Sequence, residues 1–203
     1  MTAARLRIHL SLLPHPYPQD PGAWLESWGR FVFAVERGRE IVTLVDSQWN
    51  LDALAEWFVE SEVALRAEEL CIAGYGPLPQ ESLAQAEHRL RDRDFADGDP
   101  EEAPWFEALF AYWEQHNLYV PFRGSRHVPS MYIGLNKGVG EVSRYDPDHD
   151  IAWAYPFDMA AFCATLRQEL VALLRAWQRD APDAQARARA VFLLSSLLGQ
   201  TGI

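Results

Sequence analysis

The sequence predicts an α+β fold: a mostly antiparallel sheet, built from two hairpins and an N-terminal strand, packed against about five helices. Three observations predict it. Residues 6–12 alternate apolar and polar with a period of two. Two pairs of β-rich runs are each joined by a short turn signal, 36–40 around Gly38 and Asn136-Lys137-Gly138. The other long segments carry apolar residues at helical spacing, and like elements follow one another in runs instead of alternating strand by helix.

In order along the chain, Leu6, Ile8, Leu10 and Leu12 alternate with Arg7, His9 and Ser11, the pattern of a half-buried strand. Pro14, Pro16, Pro18 and Pro21 then enforce a loop. Runs 31–35 and 41–45 make the first hairpin. Asn50 suits the N-cap of a helix over 51–69, with Leu51, Leu54, Phe58 and Leu65 on its apolar face. A second helix starts near Pro79 and runs to Arg93, burying Leu83, Ala86 and Leu90. Residues 94–102 form an acidic loop. Pro104 suits the first turn of a third helix to 116, with Phe106, Leu109, Phe110 and Trp113 as its core stripe and Trp105 and Tyr112 at the margins. Residues 118–122 read as extended. Runs 131–135 and 139–144 make the second hairpin, and 151–155 a further strand. Asp158 caps a helix to about 179, whose inward stripe is Met159, Phe162, Cys163, Leu166, Leu170, Leu173, Leu174 and Trp177. Pro182 opens a last helix to about 198, too apolar over 191–198 for a free surface.

The chain has 203 residues, 49% hydrophobic and 23% charged, which excludes a disordered chain and suits one domain over 1–203. The absence of a run of about 18 apolar residues excludes a membrane-spanning helix. No segment has a secretory-signal pattern, and two cysteines make neither a disulfide framework nor a zinc motif. The expected compartment is therefore the reducing cytoplasm. Lys137 is the only lysine, and the arginine and alanine usage reads as a GC-rich bacterial genome.

The net charge of −11 is unevenly spread. Residues 46–114 hold seventeen acids against Arg66, Arg89, Arg91 and Arg93, more than the whole excess. Such a block repels nucleic acid and anionic membranes and attracts a basic protein.

Sequence motifs for chemistry are sparse. The glycine-rich stretch 134–141 places Lys137 before Gly138 and runs on into a strand, so it is a hairpin and not a phosphate loop. Asp146-Pro147-Asp148-His149-Asp150 resembles the start of a calcium loop, but Ile151 and Phe157 occupy positions that need Gly and Glu, which leaves a solvated turn. The six histidines are dispersed, and no metal or cofactor is expected. Cys163 falls on an apolar stripe and reads as inert, while Cys71 beside Gly74 is more open. Arg123, Arg126 and His127, with Glu141 or Asp46 to orient the imidazole, form the densest set of groups suited to an anionic ligand or a small enzyme site.

Of the eight tryptophans, Trp49, Trp57, Trp105 and Trp113 fall in the acidic block. Aromatic anchors among carboxylates suit a tight protein interface. The combination resembles, in general character, small bacterial immunity proteins, which neutralise a cognate toxin by covering its active site. The resemblance implies a non-catalytic protein. Asp52, Glu56, Glu60, Asp97, Asp99, Glu101 and Glu102 would steer a basic toxin domain, with Trp57 and Trp105 as anchors. Two other readings stand beside it: an anionic-ligand protein or small enzyme using Arg123, Arg126, His127 and Glu141, and a homodimeric adaptor using the C-terminal helix.

Overall fold

The computed structural model describes residues 4–20, 22, 26–181 and 183–199. Pro21, Trp24 and Pro182 lie outside these. The fold is α+β, as the sequence predicts, with two three-stranded antiparallel sheets. By internal contacts the chain forms two compact units. The first comprises Arg5–Glu60, Pro121–Pro129 and the chain from Ala161 onward; the second comprises Ser61–Val120 and Ser130–Ala160, with Ala4.

In the first unit, β1 (Arg5–Leu12), β2 (Trp28–Arg37) and β3 (Glu40–Asn50) pair in chain order. The register sets Leu6 opposite Val35, Ile8 opposite Phe33 and Leu10 opposite Phe31, so the period-two residues of β1 share the buried face of the sheet. The β2–β3 turn needs the positive φ of Gly38, at 63°. A register shift at Phe33/Ala34 marks a β-bulge. Phe31 stacks on Phe122 at 5.0 Å, and Phe33 meets Phe162 at 6.2 Å. Residues 118–122 are therefore not a strand: Val120–Phe122 is a 3-10 turn that inserts Phe122 into the first unit's core.

Helix α1 (Asp52–Ala67) passes from the first unit into the second at Ser61. Leu51, Leu54, Phe58 and Leu65 are all fully buried, as their spacing predicts. Asn50 does not act as the expected N-cap. Its Oδ1 instead accepts the Ser27 amide at 3.1 Å, tying the helix start to the residue that precedes β2.

The second unit holds α2 (Leu83–Arg91), α3 (Glu102–His116), β4 (Tyr132–Asn136), β5 (Val139–Asp146) and β6 (Ile151–Phe157). Helix α2 starts later than expected, because Ser82 and Gln85 close a capping box there. The Asn136-Lys137-Gly138 turn has positive φ at both central residues, 54° and 76°, the geometry of a two-residue hairpin. Leu83, Ala86 and Leu90 of α2 pack with Leu109, Tyr112 and Tyr132 in this unit's core.

Helix α3 is turned relative to expectation. Its buried residues are Trp105, Leu109, Tyr112 and His116, whereas Phe110 is 51% exposed. Ten of its fifteen residues are Ala, Pro, Leu, Phe, Tyr or Trp, too many for its composition to single out one stripe. Helix α4 (Met159–Asp180) buries all eight residues of its predicted stripe. Helix α5 (Ala184–Gly199) starts at Asp183, whose carboxylate accepts the Gln185 and Ala186 amides.

Candidate functional site

Charge separates by unit. The second unit holds 18 carboxylates against six basic residues, a balance of −12, while the first holds 11 against 12, a balance of +1. Residues 61–114 of the sequence's acidic block thus fall in one folded body, enlarged by the carboxylates of β5, of the β5–β6 connection and by Asp158, while Asp46, Asp52, Glu56 and Glu60 belong to the first unit.

The nine residues expected to face a partner divide between the units. In the first, Asp52 is 4% exposed and accepts the Ser27 hydroxyl at 3.1 Å. Arg189 bridges Asp52 at 3.2 Å and Glu56 at 2.9 Å, which offsets the repulsion of like charges at i, i+4. These two carboxylates are structural ties, and of the α1 set Glu60 alone is exposed. Trp57 is 5% exposed and belongs to the core. The expected acidic face on α1 therefore does not form.

In the second unit, Asp97, Glu101 and Glu102 are exposed, and Asp99 is half-buried with Oδ1 accepting the Glu101 amide. Trp105, expected as an anchor, is 3% exposed. Its Nε1–H donates to Leu90 O at 2.9 Å. The Arg93 guanidinium lies over its ring at 4.3 Å, and also over Phe95 at 4.7 Å and Tyr75 at 5.3 Å. Burying an indole that has a partner for its N–H carries little polar penalty, which accounts for its inward position.

Phe110 and Tyr75 are the large aromatics most exposed in this unit, and Phe110 lies on α3. It stacks on half-buried Trp113 at 5.5 Å, and Glu107 and Glu114 flank it on the exposed side of α3. Glu107, Phe110 and Glu114 at i, i+3 and i+7 form one stripe. That stripe continues the acidic loop that ends at Glu102.

The alternative set also divides. Arg123, Arg126 and His127 are exposed on the 121–129 segment of the first unit. Glu141 belongs to the second unit, where it accepts the Leu83 amide at 2.7 Å and Asn136 Nδ2 at 2.8 Å. It holds the start of α2 to the second hairpin and does not orient His127. Asp46 does share a cleft of about 590 Å³ with Arg126 and His127, alongside Trp28, Ser47, Trp49 and Ser125. Sequence reasoning missed Trp28, Ser47 and Ser125, because only the fold joins the end of β3 to the segment 124–127. The available signal was weak: Trp28, Ser47 and Trp49 near strand ends and Ser125 on a loop.

One buried polar cluster was also missed. His116 has no exposed surface, and its Nδ1 lies 2.9 Å from Ile133 O, to which it donates. It stacks on Tyr112 at 4.0 Å. Burial pushes His116 down to about 4, opposed in part by the Ile133 hydrogen bond. At neutral pH the ring is uncharged, so Glu68, 3.8 Å from Nε2, does not form an ion pair with it. Burial, and then Glu68 and Glu141, push the Tyr112 phenol up, which keeps it protonated. Gly134 makes the cluster possible: a Cβ there would lie 2.8 Å from His116 Nδ1 and 3.0 Å from the Tyr112 hydroxyl.

Among the described residues, no group of three or more His, Cys, Asp or Glu side chains is placed to hold a metal ion. Cys71 is exposed and Cys163 buried. No described helix is long and apolar enough to cross a membrane. Comparison with protein-family models, curated proteins and solved structures finds no match.

Proposed function

We propose that this chain is a non-catalytic binding protein whose acidic unit docks a basic protein. The observation that carries the reading is the separation of charge: one unit at −12 and the other at +1. A field of one sign gathered on one body raises the encounter rate with a basic surface and disfavours acidic competitors. The docking residues of this reading are Asp97, Glu101 and Glu102 on the loop, then Glu107 and Glu114 on α3, with Phe110 on Trp113 as the aromatic anchor. Phe110 takes the part that the sequence assigned to Trp57 and Trp105.

A bacterial immunity protein is the finer form of this proposal. Its partner is a toxin domain with a cationic active-site surface, and coverage of that surface is the whole mechanism. The distribution of carboxylates supports it, since a nucleic-acid- or phosphate-directed active site is itself rich in Arg and Lys.

The test is calorimetric titration with the product of the reading frame that adjoins this gene. A complex is expected whose affinity falls about tenfold or more when salt is raised from low to physiological levels. The double variant Glu107→Lys/Glu114→Lys is expected to weaken it by a similar factor, and Phe110→Ser by about 2 kcal/mol. Absence of a complex, or a complex indifferent to salt and to the charge reversal, would refute the proposal.

A further inference from the structure

The first unit contains a cleft that the partner-binding reading does not use. It runs between the end of β3 and the 124–127 segment and measures about 590 Å³, within the size range of small-molecule sites. We propose that it binds a small anion built on a flat ring.

The walls are indoles. Trp28 and Trp49 line the cleft side by side, with ring centroids 6.1 Å apart and planes at 45°. Both are half-buried, so each keeps part of its surface open. Exposed indole faces are stacking platforms for flat rings, whatever the ring's sequence of heteroatoms. Gly124 sets the spacing beside Trp49. Its φ of +97° suits glycine, and a Cβ there would sit 3.4 Å from the indole ring.

The buried polar atoms of the cleft are hydroxyls. Ser47 and Ser125 are 4% and 7% exposed, and their oxygens lie 3.4 Å apart. Ser125 Oγ also accepts the His127 amide at 3.3 Å. Either hydroxyl can be the donor in that pair, and a hydroxyl turns to suit an added acceptor such as a ligand oxygen.

The rim carries one guanidinium. Arg126 is exposed at the cleft beside His127, and no carboxylate pairs with Arg126 among the described residues. Asp46 also lines the cleft, but Arg30 holds it through two hydrogen bonds, one of 2.7 Å from Nε. Its charge is matched there and does not cancel that of Arg126. A guanidinium beside aromatic walls and a hydroxyl pair is suited to a carboxylate or phosphate on a flat scaffold.

Both anion types are covered by titrating the full chain with adenosine 5′-monophosphate and with benzoate, following tryptophan fluorescence and heat. Adenosine and inorganic phosphate, each with half of the recognised chemistry, serve as comparisons. Saturable binding of at least one of the two ring anions is expected, with the half-ligands about tenfold weaker or more. The Arg126→Gln variant alters an exposed side chain and leaves the core intact; it is expected to weaken binding about tenfold. Ser125→Ala is expected to weaken it less. Binding of nucleotide but not benzoate would identify the phosphate-bearing source, and the reverse the carboxylate-bearing one. If neither ring anion binds up to about 10 mM, or if Arg126→Gln leaves the affinity unchanged, the proposal is overturned. This assay uses no protein partner, so its outcome is independent of the immunity reading.

Discussion

His116 is a residue whose surroundings alter its chemistry near neutral pH. Removed from water and stacked on Tyr112, it titrates near 4 in the folded chain instead of near 6.5. Between those values the unfolded chain holds a proton that the folded chain excludes. Stability is therefore full above the unfolded value, falls as pH drops through it, and stops falling below the folded value. This one group is expected to remove about 2 kcal/mol between pH 7 and pH 5. Urea unfolding of the wild type and of His116→Phe at both pH values checks this. The variant is expected to have a shallower pH dependence, and an identical slope would show that His116 titrates as an ordinary surface histidine. The Asp52–Arg189–Glu56 bridge shows the same sensitivity to context. In the sequence these acids look like a steering surface, and in the fold they are a tie between α1 and α5.

At the scale of elements, α3 and α5 show what a greasy helix leaves open. Helix α5 turns Leu193, Leu194 and Leu197 inward, while Val191, Phe192 and Leu198 stay exposed, the face on which the sequence places a second copy of the chain. Leu197→Ala, at a fully buried position, is expected to cost about 2–4 kcal/mol. Phe192→Ala, at 62% exposure, is expected to change monomer stability by less than about 0.5 kcal/mol. Denaturant unfolding at low protein concentration measures both. Equal losses would mean that the helix is seated on a different face. Helix α4 was legible in the sequence because its stripe is apolar on one side and polar on the other, so only one face could turn inward. Helix α3 was not, because Phe106, Phe110 and Trp113 compete with Trp105, Leu109 and Tyr112 for the core. The choice there was made by partners distant in the chain, Leu90 for the Trp105 N–H and Ile133 for His116.

For the whole molecule, the separation of charge has a consequence that needs no partner. A body at −12 repels itself, and mobile ions screen that repulsion. Added sodium chloride is therefore expected to raise the melting temperature by roughly 3 °C between low salt and about 0.3 M. Scanning calorimetry across that range checks it. A flat or falling melting temperature would show that the carboxylates are matched by local partners, and would weaken the case for a steering field.

The residues of this chain determine by themselves most of where it pleats, coils and turns, the segment 118–122 and the start of α2 excepted. Alternation in β1, the stripe of α4 and the turn at Lys137-Gly138 follow from backbone geometry repeated over a few residues, and neighbours in the chain are enough to read them. They also determine how many charges there are and in which stretch they fall. Tertiary structure alone decided that Asp52 meets Arg189, that Glu141 serves α2, that Trp105 is inside and Phe110 outside, and that Ser47 faces Ser125 across a cleft. Those outcomes depend on which distant segments pack together, and no local period carries that information.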